Sequence, residues 1–210
     1  MQREGKLLVI SGPSGAGKSS LINEILNEID DVYFSISTTT RAKRVGEIDG
    51  IDYFFVTKEE FEEDIEKGFF LEWAKVHGNY YGTSLKPVFK AIEEGKLVIF
   101  DIDVQGNSSI RERFSDITTS VFITTPSIKE LENRLKNRGT DSEEIIQKRL
   151  KNAIEEIKRV DEYDFVLIND DFQKAKESLL AVVKSAKLKL SKNEIDSFIK
   201  EWKSTSNKKV

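Results

Sequence analysis

The chain has 210 residues, no cysteine and a single histidine; 38% of its residues are hydrophobic and 33% charged. That is enough apolar material for the core of one domain with insertions, and it excludes disulfides, thiolate metal sites, thiol nucleophiles, multi-histidine metal sites and a serine triad. The formal charge of −4, from 33 basic and 37 acidic residues, excludes coating nucleic acid by bulk charge. Apolar runs such as Leu7-Leu8-Val9-Ile10 are too short for a transmembrane helix, and Met1-Gln2-Arg3-Glu4-Gly5 lacks the apolar stretch of a signal peptide. Together with the missing cysteines this predicts a cytoplasmic protein with neither membrane nor nucleic acid as partner. Its chemistry is left to carboxylates, Lys and Arg, hydroxyls, backbone amides or a borrowed metal ion.

Leu7–Ile10 reads as a strand buried on both faces. It runs into Gly12-Pro13-Ser14-Gly15-Ala16-Gly17-Lys18-Ser19, which fits G-x-x-x-x-G-K-[ST] at every fixed position. Glycines let backbone N–H groups approach phosphate oxygens, and the start of the following helix favours an anion. Lys18 suits β/γ-phosphate charge, and the Ser19 hydroxyl suits Mg²⁺. Beyond Lys18, residues Leu21, Ile22, Ile25, Leu26 and Ile29 fall on one helical face.

Residues 33–83 break the strand–helix rhythm. They are rich in aromatics, among them Tyr33, Phe34, Tyr53, Phe54, Phe55, Phe69, Phe70, Trp73, Tyr80 and Tyr81, and predict an inserted α+β unit whose core holds Phe54, Phe55, Phe69 and Phe70. Within it, Thr39–Val56 offers hydroxyls, the guanidiniums of Arg41 and Arg44, and the Tyr53 phenol, a set suited to a phosphate monoester. On its residues alone it is equally an exposed basic loop followed by a hairpin. His77 falls in a loop, where packing explains it as well as function does.

Leu97–Phe100, Val121–Ile123 and Phe165–Ile168 read as further strands buried on both faces. Helical periods cover Thr57–Lys67, Pro87–Glu94, Ile128–Arg138, Ser142–Val160 and Phe172–Leu190, and the alternation argues for a parallel α/β sheet. Asp101 ends one strand, where a carboxylate points at a ligand crevice. Residues 127–150 form a second, arginine-rich helical insert; Arg134 and Arg138 share a helical face. From Lys184 onward eight lysines stand against Glu194, Asp196 and Glu201. Leu188, Leu190, Ile195, Phe198, Ile199 and Trp202 suit one amphipathic helix, docked on the core or on a second subunit.

The phosphate loop together with Thr39–Val56 resembles the signature of guanylate kinases. Phe70-Leu71-Glu72-Trp73-Ala74, Gly78-Asn79-Tyr80-Tyr81-Gly82-Thr83, Asp101-Ile102-Asp103-Val104-Gln105-Gly106, Arg134-Leu135-Lys136-Asn137-Arg138-Gly139-Thr140 and Val166-Leu167-Ile168-Asn169-Asp170-Asp171 match in order and spacing, over roughly residues 5–187. The resemblance implies an α/β fold: a P-loop three-layer parallel sheet core (1–33, 96–126 and 151–187), an inserted α+β GMP-binding subdomain (34–95), a small helical lid (127–150) and a C-terminal helical extension (188–210). It implies ATP and GMP as substrates with Mg²⁺, and the phosphorylation of GMP to GDP in purine metabolism, by a monomer or homodimer.

Residue by residue, the resemblance implies that Ser37, Arg41, Arg44, Tyr53 and Tyr81 hold the GMP phosphate. Glu72, Thr83 and Asp101 read guanine and order the acceptor side. Gly12, Pro13, Ser14, Gly15, Ala16, Gly17, Lys18, Ser19 and Ser20 cradle ATP, with Ser19 on the metal and Asn169 near adenine. Arg134, Arg138 and Arg149 converge with Lys18 on the transferring phosphoryl. Guanine offers donors at N1 and N2 where adenine does not, so an acceptor-only carboxylate at Glu72 discriminates between them. The acceptor is already an ionised phosphate, so no general base is demanded. Two other readings are a phosphopeptide-binding scaffold, against which the intact phosphate loop and lid arginines argue, and a kinase with another acceptor, against which Glu72 argues.

Overall fold

A computed structural model describes residues 4–76, 78–139 and 141–206. His77 and Thr140, and the extension beyond 206, lie outside the described residues.

Five parallel strands form the main sheet: β1 (Lys6–Ser11), β2 (Val32–Phe34), β7 (Leu97–Asp101), β8 (Thr118–Thr124) and β9 (Phe165–Ile168), in the order β2-β7-β1-β8-β9. β1 sits in the middle, paired in parallel with β7 and β8. The strand period of two sends its alternate residues to opposite faces. Leu8 and Ile10 join Leu21, Ile22 and Ile25 of α1 (Lys18–Leu26) and Leu179 and Val183 of α7 (Phe172–Leu188). Leu7 and Val9 join Val88 and Ala91 of α3 (Lys86–Glu93) and Ile110 of α4 (Val104–Phe114). The result is three layers, helix, sheet and helix, with the central strands β1, β7 and β8 buried on both sides.

The inserted unit is a second sheet, β4-β3-β6-β5, built from β3 (Thr38–Thr39), β4 (Phe54–Phe55), β5 (Phe70–Val76) and β6 (Asn79–Ser84) and covered by α2 (Lys58–Glu66). Its centre is Phe61, fully buried and stacked between Phe70, at 4.1 Å between centroids, and Tyr80, at 5.1 Å. Of the four phenylalanines expected there, Phe70 is buried, while Phe54, Phe55 and Phe69 are half-buried. Thr57 and Glu60 form a reciprocal capping box that starts α2 where the sequence places it. The lid pairs α5 (Ile128–Asn137) with α6 (Glu143–Ile157) around Leu131, Leu135, Ile146, Leu150 and Ala153. α6 is one uninterrupted helix that crosses residue 150 on its way back to the core.

Three expectations are corrected. β9 is not buried on both faces: it is an edge strand, with Leu167 buried but Phe165, Val166 and Ile168 exposed to 42%, 52% and 58%. The terminal apolar residues do not share one helix either. α7 ends at Leu188, and α8 (Lys192–Ser206) starts afresh after Ser191. Ile29, expected on α1, lies past its end and still packs against the core.

The break before α8 has a clear cause. The Ser191 hydroxyl accepts from the Glu194 N–H, and the Glu194 carboxylate accepts from the Ser191 N–H at 2.8 Å. The same carboxylate accepts from the Glu4 N–H at 3.0 Å and from the Lys6 ammonium at 2.6 Å, so a buried ion pair ties α8 to the first strand. Burial pushes the Glu194 carboxyl up, but the bonds from Lys6, Ser191 and Glu4 outweigh it and hold the group at about 2, against an ordinary 4.5. Its contribution to stability is therefore complete above pH 4.5 and is lost as pH falls through about 2. Glu194→Ala, which leaves the buried Lys6 ammonium with only the Glu4 carbonyl as acceptor, is expected to cost on the order of 3 kcal/mol. Chemical denaturation between pH 7 and 2 checks this: the variant should show a shallower acid-dependent loss of stability than the parent.

Candidate active site

The loop after β1 carries the anion-binding geometry. Gly12 has φ 140°, and a Cβ there would sit 1.9 Å from the Ile123 carbonyl oxygen of β8. Gly17, at φ 93°, caps α1 with no side-chain bond to its first turn, and its own Cβ would meet Asn169 Nδ2 at 2.4 Å. The first N–H groups of α1 are thus left to a ligand, favoured by the helix dipole. Lys18 folds back over the loop and donates from Nζ to the carbonyls of Gly12 at 2.5 Å and Pro13 at 3.3 Å.

A cavity of about 360 Å³ opens over this loop. Ser14, Lys18, Ser19, Ser20, Arg138 and Asp101 line it, with Asp103 beside them. Burial lowers the Lys18 ammonium, while Asp101 and Glu156 oppose that. Burial likewise raises the Asp101 carboxyl against the pull of Lys18. Asp103 has a local task as N-cap of α4, accepting from the N–H groups of Gln105 and Gly106.

A second cavity of about 460 Å³ adjoins the first on the side of α7, lined by Gly15, Gly17, Arg134, Arg138, Asn169 and Phe172 among others. Asn169 is buried beyond the edge strand, and its Nδ2 donates to the Ala16 carbonyl at 2.8 Å, clipping the phosphate loop to β9. Arg134 donates to the Asn169 carbonyl at 2.8 Å and to Glu130. Arg138 lines both cavities and Arg134 only the second. Arg149 reaches the loop from α6, donating to Ser14 Oγ at 2.7 Å and to Asp141 at 3.2 Å.

The acceptor residues gather on the second sheet. Arg41 lies 5.4 Å from the Tyr53 ring centroid and 5.7 Å from that of Phe55, and Tyr53 meets Tyr81 edge-on at 6.2 Å. The Arg41 fork is taken up by Glu47, at 3.0 and 2.7 Å, and Glu47 also accepts from the Arg44 N–H at 2.8 Å. Thr83 Oγ1 donates to Glu72 at 3.4 Å. Burial raises the Glu72 carboxyl, Asp103 adds to the rise, and the Thr83 bond opposes it. Ser37 is exposed on the link between β2 and β3.

Sequence reasoning did not single out Glu47, Asp141 or Glu156. Glu47 had a signal, as the one acid within Arg41–Glu47. Asp141 and Glu156 had none, because their partners are distant in the chain or on another element.

A central parallel strand ending in a phosphate loop, an arginine-bearing helical lid and an inserted sheet presenting arginine, tyrosine and carboxylate define a P-loop phosphotransferase. A family model for guanylate kinase matches residues 4–186. The chain is 55% identical over 200 residues to guanylate kinase of Sulfurimonas denitrificans, covering 95% of this chain and 97% of the relative. It is 50% identical over 207 residues to guanylate kinase of Wolinella succinogenes, covering 99% and 96%. The crystal structure of guanylate kinase from Anaplasma phagocytophilum matches with a TM-score of 0.66 at 30% identity, over 92% of this chain and 90% of that one. The chain belongs to the guanylate kinase family; it is an enzyme, a nucleoside monophosphate kinase.

The close approach at Gly12 can be tested directly. Gly12→Ala is expected to destabilise the protein by about 2–3 kcal/mol and to disrupt nucleotide binding, because the carbonyl it meets cannot move out of a central sheet. Gly46→Ala, at φ 91° with open space around it, should cost only the backbone strain of about 1–2 kcal/mol. Thermal melts of the two variants give the comparison.

Proposed function

We propose that the two cavities over Gly12–Ser20 receive ATP, and that the face carrying Arg41, Tyr53, Tyr81, Glu72 and Thr83 receives GMP. The reaction is the transfer of the γ-phosphoryl group of ATP to GMP, giving ADP and GDP. One observation carries the assignment of sites. Lys18, Asp101 and Arg138 border one cavity at the carboxyl end of the sheet, while Arg41, Tyr53 and Tyr81 cluster on the second sheet.

In this reading the backbone N–H groups of the loop and the start of α1 hold the β-phosphate. Lys18 leaves its two loop carbonyls to neutralise charge between the β- and γ-phosphates. Arg134, against Asn169, covers the base side, while Arg138 and Arg149 bring cationic charge to the γ-phosphoryl. Glu47 occupies the Arg41 fork with a carboxylate until the GMP phosphate takes its place, since both are bidentate acceptors. Arg44, Tyr53, Tyr81 and Ser37 complete that phosphate site. Glu72 accepts from guanine N1 and N2, and Thr83 and Asp101 order the acceptor side. An ionised oxygen of GMP attacks the γ-phosphorus as the bond to the ADP oxygen breaks, so no group has to remove a proton.

The residues fit Mg²⁺ bound mainly through the nucleotide. Ser19 and Asp101 line the cavity as hard oxygen donors, and among the described residues no three His, Cys, Asp or Glu gather to hold an ion by themselves. Bound with ATP, the ion neutralises charge developing on the phosphate oxygens. The oxygens on offer exclude a soft-metal site, and Ser19 is the residue assigned to it.

The core, the acceptor unit and the lid close over the substrates to exclude water. Purified protein with ATP, Mg²⁺ and GMP, AMP, CMP or dTMP in turn should turn over GMP best, and chelation of the metal should abolish the rate. Lys18→Ala and Arg138→Ala should each lower kcat by roughly 10²–10³-fold. Glu72→Gln should raise KM for GMP selectively; unchanged GMP kinetics in that variant refute its role.

A further inference from the structure

One half-buried acid on the helix that touches the phosphate loop has no place in this scheme. Glu156 lies in the last turn of α6, and its Oε2 is buried without a hydrogen-bond partner. A buried carboxylate oxygen left unpaired costs stability, and a fold keeps one where another state of the protein uses it. Its place on α6, whose Arg149 touches the phosphate loop, points to Lys18. Glu156 interacts favourably with Lys18 and unfavourably with Asp103, and Asp101 and Glu156 are the two carboxylates that stabilise the Lys18 charge. Neither forms an ion pair with Lys18 within 4.0 Å in the unliganded chain.

The placement follows from helix geometry. Arg149 stands seven residues before Glu156, two turns along α6, so both project from the same side of the helix. Arg149 already touches the phosphate loop at Ser14. The same side of α6 therefore brings a cation to one part of the loop and a carboxylate toward its lysine. Lys18 has three N–H groups and gives two to the carbonyls of Gly12 and Pro13. To reach a triphosphate it has to give those up, and its ammonium then needs an acceptor on the side away from the phosphates.

We propose that Glu156 is a positioning residue for Lys18: its unpaired oxygen receives an N–H of the ammonium once the lysine leaves the loop carbonyls, and so aims the amine at the β- and γ-phosphates. The inference rests on Lys18 being the phosphate-binding lysine. It makes Glu156 a group acting through another residue, with no contact to substrate of its own. It also links the lid to the loop through one rigid helix, since Arg149 and Glu156 move with α6 together.

The test is a double-mutant cycle in the full chain with Glu156→Gln, Lys18→Ala and both together, with Glu156→Asp as a further variant. It is read in kcat, in the KM for GMP, in Mg·ATP affinity by calorimetry and in thermal melting. Glu156→Gln should lower kcat on the order of 10²-fold, the scale of a misplaced reactive group. Its KM for GMP should stay within about twofold and its melting temperature should hold or rise, because an unpaired buried charge has been removed. In the Lys18→Ala background the same substitution should change kcat and Mg·ATP affinity by less than about threefold, the signature of two residues acting as one unit. Glu156→Asp should recover part of the loss. Independent, multiplying losses, a fall in melting temperature that accompanies the loss, or full activity in Glu156→Gln would each overturn the proposal. If Lys18→Ala alone is fully active, it is the assignment of Lys18 that fails; a defective Lys18→Ala beside a neutral or independent Glu156→Gln leaves that assignment standing and removes only the inference.

Discussion

The active site depends on one close approach, the passage of the Gly12 backbone over the Ile123 carbonyl. β1 is the central strand, so its carboxyl end opens between the ends of β7 and β8. A chain leaving that position needs to turn at once, and here only a residue without a Cβ has room. The turn delivers Ser14 to Ser19 above the sheet and starts α1 at Lys18, with the unpaired N–H groups of its first turn facing the cavity. Asp101 reaches that cavity because β7 ends beside β1, in register from Lys6 with Leu97 to Ile10 with Asp101. Asn169 closes the arrangement from the far side, where β9 ends and its side chain grips the Ala16 carbonyl. The loop is thereby held by the Asn169 amide on one side and by the cations of Lys18 and Arg149 on its carbonyls and on Ser14.

The charged residues around this scaffold are held in place by internal partners. Arg41 is matched by Glu47, Arg149 by Asp141 and Ser14, Arg134 by Glu130 and the Asn169 carbonyl, and Lys18 by two loop carbonyls. A guanidinium held in this way has already lost much of its side-chain freedom, so a phosphate that displaces the partner gains a directed charge at reduced entropic cost. Glu47 also accepts from the Arg44 N–H, and the partially buried Glu72 accepts from Thr83. The charged groups are therefore already engaged in directed bonds and are not free side chains. The modest overall charge of −4 conceals this local sorting of cations with their partners.

How much of this was legible in the sequence depended on the range of the interactions involved. β1, α1 and the loop between them could be read because a doubly buried strand, a glycine-rich turn and an amphipathic helix are local patterns. α2 was legible to within a residue for the same reason, its capping box being encoded in Thr57 and Glu60. β9 was misjudged because Phe-Val-Leu-Ile has the composition of a central strand; its exposure follows from its place at the edge of the sheet, which no periodicity encodes. The break between α7 and α8 had a local signal in Ser191 and Glu194, but the continuous apolar spacing on either side obscured it. Phe61 became the centre of the acceptor unit by stacking on Phe70 and Tyr80, a contact made only when three separate elements meet. The residues taken from motifs line the cavities over the phosphate loop or gather on the second sheet, while Glu47 and Asp141 pair with Arg41 and Arg149, and Asp141 and Glu156 carry no signal in their own surroundings.

The chain's lack of cysteine and near lack of histidine also has a mechanistic consequence. With an acceptor that is already ionised, the catalytic problem is to bring two anions together and keep water out. Both requirements are met by position and charge, so lysine, arginine and carboxylate suffice. The cations come from different parts of the chain: Lys18 from the start of α1, Arg138 and Arg149 from α5's end and from α6, Arg41 and Arg44 from the inserted unit. α6 runs without interruption from Ile146 and Leu150, which pack with Leu131 and Leu135 of α5, past Arg149, which touches Ser14, to Glu156. The helix pair beside the phosphate loop and the residue that contacts that loop therefore belong to one continuous element, so the cation at Ser14 is placed by packing well outside the loop itself.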